Sequence, residues 1–470
     1  MRHVLLRRAR ILARVLLGVV LFAVTLAGIG LAGVTVTMND SYPSAAPAAL
    51  AGGWPQPARA PAGRTVVAVV IGSTGSVVTD VLAPYEVFAR SQHFFVYTVS
   101  ARRAPVALSG GLQVVPDHAV ADVDSGAVPA PDVVVVPAVV QPTGPAEATL
   151  RTWITRQAGH GARILGVCAG SQFLATTGLL DHRRATSFWA NLDGLRGSYP
   201  RTDWIAGQRY VEDGPITTTA GVTSGVVGAL RLVERIAGTE EADRIGRDIA
   251  YPGWKLDGPT TIATRRLALS DLPYGLNAAF PWLRPTVGIG LVDGLDEIDV
   301  AAAFELYAGT SFAAHTLTLA AHPVVTTRHG VVLLADPTGT TTAKVDRFVV
   351  PGLRNLDQVD PGLRQWAGER HLGIDLPHAG RAAGEFSFDP VLRDLARHTD
   401  RATAVTTAKF TEYPAAQLRL AGGAWPWRST LLAVLTLVIA TGVALLPAAV
   451  TRLMSRLPGR GRRPAAEPVS

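Results

Sequence analysis

The stretch ILGVCAGSQFLA, Ile164–Ala175, decides how this chain is read. Arg163 to Val167 is an apolar run of strand character, and from Ser171 to Thr177 the spacing turns helical. Between them stands Cys168, the only cysteine among 470 residues. Gly166 and Gly170 relieve crowding on either side, so the chain can make a tight strand-to-helix turn that lifts the side chain above the sheet edge. The amides of Ala169 and Gly170 open the helix, and their partial positive charge is expected to lower the thiol pKa. The opposing reading makes Cys168 a small buried apolar side chain, a common fate of cysteine. With one cysteine there is no internal disulfide.

Upstream, Thr65 to Ile71 and Asp132 to Val136 are β-branched runs of the kind buried in parallel sheets. Phe94 to Ser100 also reads as strand, while Asp80 to Arg90 and Ala146 to Ala158 have helical spacing. Alternating strands and helices predict a doubly wound, flavodoxin-like three-layer α/β/α sandwich over 64–257.

Further out lie two uncharged apolar runs, Val15 to Met38 and Leu431 to Val450, each long enough to span a bilayer. The predicted spans are 15–38 and 429–450. A cleaved signal peptide is the rival for the first, but such apolar regions are shorter. Arg2, Arg7, Arg8, Arg10 and Arg14 precede the first run; Arg452, Arg456, Arg460, Arg462 and Arg463 follow the second, with Glu467 the only acid there. The flanks carry net +9 of a chain total of +7, so the region between is net −2. The basic balance therefore belongs to membrane flanks and speaks against nucleic-acid binding. The positive-inside rule puts tails 1–14 and 451–470 in the cytoplasm and the main domains outside, with Trp425 and Trp427 at the interface. Residues 39–63, rich in Pro, Ala and Gly, read as a linker holding the ectodomain off the bilayer.

Three blocks then carry a family resemblance: TDVLAPYEVF (Thr79–Phe88), the Cys168 turn continuing into GLLDHRRATSFW (Gly178–Trp189), and TTAGVTSGVVGALRLV (Thr218–Val233). Together they resemble the ThiJ/PfpI family of the class I glutamine amidotransferase-like superfamily. The nearest branch holds isonitrile hydratases and the sensor domains of AraC-type regulators. The resemblance implies that Cys168 is the nucleophile and Asp80 the acidic residue contacting the thiol. It also implies an oxyanion or ligand pocket near Ala169, Gly170 and Ala138. Asp80 equally suits an N-cap, and Glu86 a surface or packing role. One departure matters. Relatives often carry histidine in a THW-like triplet, and this chain has Phe188, a fourth residue of the expected pocket, which cannot act as a base. His160 and His182 read as loop or surface residues, and Ala138 and Val139 are bulky for a turn that is often Gly-rich in relatives.

Residues 286–420 read as a shortened second copy. TVGIGLV (Thr286–Val292) repeats the first strand, DVAAAFELY (Asp299–Tyr307) repeats DVLAPYEVF (Asp80–Phe88), FVVPG (Phe348–Gly352) repeats VVVPA (Val134–Ala138), and LRQW (Leu363–Trp366) repeats LRTW (Leu150–Trp153). EYP at Glu412–Pro414 answers AYP at Ala250–Pro252. The region matching the Cys168 turn is lost, so Asp299 has no thiol partner and is expected to cap or to face solvent. The copies would form an internal pseudo-dimer, with a homodimer as the alternative. Residues 258–285 read as a connector with a short strand or helix.

Three functions stay open: a thiol-dependent hydrolase or hydratase acting on a small electrophile, a small-molecule or redox sensor, and a structural membrane protein. No cofactor is implied. His315, His322, His329, His371 and His378 lack zinc-ligand spacing, so no metal is expected. The expected partners are the lipid bilayer and a small-molecule ligand.

Overall fold

The computed structural model describes residues 2–44 and 53–456. Arg460, Arg462, Arg463 and Glu467 lie outside the described residues, as does the middle of the 39–63 segment.

The first half is built on strands β1 (Thr65–Val70), β2 (Phe94–Ser100), β3 (Val133–Val136), β4 (Arg163–Gly166), β5 (Tyr210–Asp213) and β6 (Ile216–Thr219). They lie in the order β5-β6-β4-β3-β1-β2, with His118–Ala119 at the far edge. Every pairing is parallel except β5 with β6. Alternation along β1 explains why its sequence is apolar throughout. Val67 and Val69 face one core, and Val66, Ala68 and Val70 face the other. The first core is covered by helix α1 (Val78–Ala89) and by Ser224–Ala237, the second by Ala148–Gly159 and by helix α2 (Gly170–Ala175). This is the expected three-layer α/β/α sandwich.

The second half places β7 (Thr286–Gly290), β8 (His315–Ala320), β9 (Arg347–Val349) and β10 (Ile374–Asp375) in the order β8-β7-β9-β10, with Asp336–Pro337 beyond β8. All are parallel. The neighbour order repeats β2-β1-β3-β4, without counterparts of β5 and β6.

The halves share one core. Val81, Leu82, Tyr85 and Phe88 of α1 belong to the same buried cluster as Val300 and Phe304 of helix α3 (Glu297–Phe304). A four-stranded sheet also crosses the seam. In it Gln113–Val115 pairs antiparallel with Val332–Leu334, in register Val115 with Val332.

Among the described residues, two helices are long and apolar enough to cross a membrane, within Arg2–Ser41 and Trp427–Arg456. They pack on each other and on the helix Leu272–Ala279, the one element of the connector beyond a single turn. Thr37 Oγ1 donates to the Ala278 carbonyl at 2.8 Å, and Ser429 Oγ to Asn277 Oδ1 at 2.9 Å. Gly33 is required there, since a Cβ would stand 1.8 Å from the Ala279 oxygen.

The 39–63 segment differs from an extended spacer. Asn39–Ser41 continue the first helix, the Tyr42 ring lies against Gly75, and Trp54 packs beside Val115, Val332 and Leu334. Aromatic side chains in that segment find apolar surface to cover, so its described parts lie against the protein.

Candidate active site at Cys168

Strand β4 ends at Gly166, and two residues later Cys168 takes the left-handed conformation, φ 56°. That backbone costs a non-glycine residue about 1 kcal/mol, and the surroundings hold it there. The Cys168 amide donates to Thr219 Oγ1 at 3.3 Å, and its carbonyl accepts from Ser187 Oγ at 3.0 Å and Ser171 Oγ at 3.2 Å. Gly170 allows the turn to press onto β3, since a Cβ there would lie 2.0 Å from the Val136 oxygen.

The thiol is 4% exposed. The amides of Ala169 and Val222 both face its sulfur. Burial pushes the thiol pKa well up, Asp80 adds to the rise, and the two amides offset part of it. The expected lowering by the helix start is therefore reversed. Helix α2 has only six residues, and its dipole is outweighed by desolvation and a nearby carboxyl.

Asp80 is fully buried in the first turn of α1. Its Oδ2 accepts the Ala138 amide at 3.0 Å, while Oδ1 has no hydrogen-bond partner. Burial foremost, and then Glu305, raise its pKa, which favours the protonated form able to donate to sulfur. Asp80 is not the cap of α1. The Val78 amide donates to Ser109 Oγ at 2.9 Å, and the Thr79 hydroxyl donates to Glu305 Oε2 at 3.0 Å. Glu86 is no surface residue either. It is 1% exposed, with Oε2 accepting the Ile298 amide at 2.6 Å and Oε1 bound to Arg90.

Of the expected oxyanion group, Ala169 aims its amide at the sulfur. The Ala138 amide is spent on Asp80, and the Gly170 amide on the Val167 carbonyl at 2.7 Å. Val222 supplies the second amide in their stead. Phe188 sits in an aromatic group with Trp189 and Phe410, its ring centroid 5.4 Å and 6.2 Å from theirs. His160 and His182 are exposed. Asp299 neither caps nor faces solvent. It is 4% exposed and pairs with Arg381 at 3.0 Å and His378 at 3.3 Å. Arg381 supplies the opposite charge that a buried carboxylate needs, while burial lowers the His378 pKa and leaves its ring a neutral polar neighbour.

Two acidic side chains and a tyrosine reach this region from elsewhere in the chain. Glu412, in the turn after Arg401–Phe410, is 4% exposed at φ 52°, and the backbone amides of Gly221 and Trp189 near its carboxyl offset part of its raised pKa. Its charge bears on the Cys168 thiol. Glu305 lies against the start of α1 and bears on Asp80. Tyr42, just past the first long helix, places its phenol near Glu305, Asp80, Ser109 and Tyr274, and burial foremost pushes its pKa up. The only signal for Glu412 in the sequence was the EYP triplet, where an acid replaces the alanine of AYP.

The DJ-1/PfpI family profile matches residues 66–235. The isonitrile hydratase of Pseudomonas putida is 35% identical over 176 residues, which cover 37% of this chain and 72% of that protein. The HTH-type transcriptional regulator CdhR of Pseudomonas aeruginosa is 31% identical over 149 residues, covering 32% of this chain and 43% of the regulator. Among solved structures, Drosophila melanogaster DJ-1beta is similar at 20% identity and TM-score 0.34, covering 39% of this chain and 96% of that one. A ThiJ/PfpI family protein from Pseudomonas syringae is similar at 25% identity and TM-score 0.35, covering 43% and 81%.

Proposed function

This chain belongs to the DJ-1/PfpI family, and on that footing we propose that it is a two-pass membrane protein whose extracytoplasmic Cys168 pocket hydrolyses or hydrates a small electrophile. The observation that carries the reading is the thiol itself, held on a strained turn between the Asp80 carboxyl and the amides of Ala169 and Val222. Strain of this kind survives where the surroundings impose it, and it clusters at functional sites. For an isonitrile, the substrate in the relative's name, the chemistry closes. Sulfur bonds the terminal carbon and that carbon gains a proton, which the thiol makes good, giving a thioimidate. Water then adds to the same carbon, the C–S bond breaks, and formamide leaves with the thiol restored. The two amides stabilise negative charge as it develops.

The membrane placement rests on the two apolar helices, whose most apolar windows are only 6% and 11% buried, and on their arginine flanks. The second half acts as a degenerate copy that covers the seam of the first, an internal pseudo-dimer. Its support is the repeated strand order, the shared core, and the matching left-handed residues Ala250 (φ 59°) and Glu412 (φ 52°) in the two triplets.

A sensor reading is favoured by one observation, that Tyr42, at the end of a long apolar helix, places its phenol near Asp80 and Ser109. The full chain, purified in detergent and assayed with a panel of isonitriles, separates the two. Turnover abolished by Cys168→Ser supports the enzyme. Ligand-dependent stabilisation without turnover supports the sensor. An ordinary thiol pKa of about 8.5, unmoved by Asp80→Asn, would sink both.

A further inference from the structure

The Gly221 and Val222 amides are neighbours along the chain. One lies close to the Glu412 carboxyl and the other faces the Cys168 sulfur. A side chain there would be crowded, because a Cβ on Gly221 would stand 3.0 Å from both Glu412 Cγ and the Phe188 ring. The loop is tied to the second half, with the Thr223 amide donating to the Thr411 carbonyl at 3.1 Å. Glu412 Oε2 is buried without a hydrogen-bond partner. Buried polar atoms are rarely left so, and each needs a reason. Fold does not supply one. Ala250, at the same place in the first triplet, takes the same left-handed backbone with only a methyl group. The backbone shape is therefore structural, and the carboxyl is an addition to it.

We infer that Glu412, delivered by the second half, is a proton donor of the Cys168 site, standing where Phe188 leaves no base. The inference rests on the thiol-chemistry reading above and makes the site composite. As sulfur bonds the electrophilic carbon, the Glu412 proton goes to the substrate atom that receives the electron pair. The thiol proton then replaces it on Glu412, so the carboxyl ends as it began. Facing this centre are Asp80 from α1, with Glu305 and Tyr42 behind it, and Tyr251, Arg209 and Arg265 beside Glu412. Burial foremost raises the Glu412 pKa and the arginines offset part of it, which favours the proton-carrying form. Burial of the site, which penalises a charged ligand, selects an uncharged electrophile over an anionic one.

The test uses the full chain in detergent, where a single cysteine makes the ultraviolet absorbance of the thiolate assignable, with Cys168→Ser as blank. Glu412→Gln should lower the apparent thiol pKa by about one unit, a size ordinary for removal of a neighbouring carboxylate. It should also cut kcat/KM for a neutral isonitrile by at least roughly a hundredfold and flatten the pH profile. Glu412→Asn, a residue that tolerates the left-handed backbone, should do the same and guards against a folding failure. If Asp80→Asn moves the titration and neither Glu412 variant moves it or the rate, this inference falls while the thiol reading stands. If no variant moves either, both fall.

Discussion

Glu86 and Glu305 trade places across the seam. Glu86 Oε2 accepts the amide of Ile298 in the first turn of α3, and Glu305 Oε2 accepts the hydroxyl and amide of Thr79 in the first turn of α1. Each acid rises from one half to satisfy the helix start of the other, where backbone donors have no partner of their own. Six residues separate Asp80 from Glu86, and six separate Asp299 from Glu305, so the reciprocity is written in the spacing.

Removing one of these acids strands several buried donors. Glu305→Ala leaves the Thr79 hydroxyl and the Thr310 hydroxyl without their acceptor, and an unpaired buried donor costs about 1–3 kcal/mol. Thermal unfolding of the full chain should show a loss of that order. An unchanged transition would mean that the seam does not rely on the exchange.

The seam should weaken as pH rises. Burial foremost pushes Glu86 up to about 7, against the pull of Arg90. An unfolded glutamate titrates near about 4.3. Between those values the folded state keeps a proton that the unfolded state has released, so this contribution is full at low pH and lost as pH passes through about 7. His329 adds the same sign. Its bond to Glu297 at 2.7 Å raises its pKa despite burial, and the stability it lends is lost above that raised value. The melting temperature should fall by a few degrees, roughly, from pH 5 to 8, and Glu86→Gln should flatten that slope. A melting temperature that climbs over the same range would contradict the assignment.

The two glycines of the Cys168 turn should rank. At Gly170 the obstacle is backbone, the Val136 oxygen, whereas at Gly166 it is the mobile tip of Leu174, 2.7 Å from a Cβ. Gly170→Ala should cost about 3 kcal/mol or more, and Gly166→Ala about 1–2 kcal/mol. Chemical denaturation of the two variants checks the order, and an equal cost would argue against the tight packing of the turn on β3.

Phe188 shields the Gly221–Glu412 side of the site. Phe188→Ala should speed alkylation of Cys168 by iodoacetamide about tenfold, equivalent to roughly 1.4 kcal/mol of easier opening. An unaltered rate would place the barrier to entry elsewhere, with Asp80 and Tyr42 the next positions to vary.

Much of this was legible beforehand because local pattern and burial agree. β1 and β3 are β-branched runs with a core on each face, and the glycines around Cys168 announced its turn. What was hidden depends on chain segments that meet only after folding. Glu412 lies 244 residues from Cys168, and nothing local marks it except a charge where AYP has a methyl group. Tyr42 looked like part of a spacer because its partner surface is made by both halves. Asp299 looked unemployed because Arg381, which neutralises it, and His378, which lies beside it, follow by about eighty residues and share no motif with it. The thiol pKa was misjudged for a related reason. The amides of the turn are visible in its sequence, whereas the burial that outweighs them comes from the surrounding fold.

The antiparallel pairing of Gln113–Val115 with Val332–Leu334 joins strands of one chain. Its formation is therefore unimolecular, governed by an effective local concentration and indifferent to dilution. Two separate subunits sharing such a seam would part when scarce. Here the Cys168 site keeps its cover at any copy number, even when a single molecule is alone.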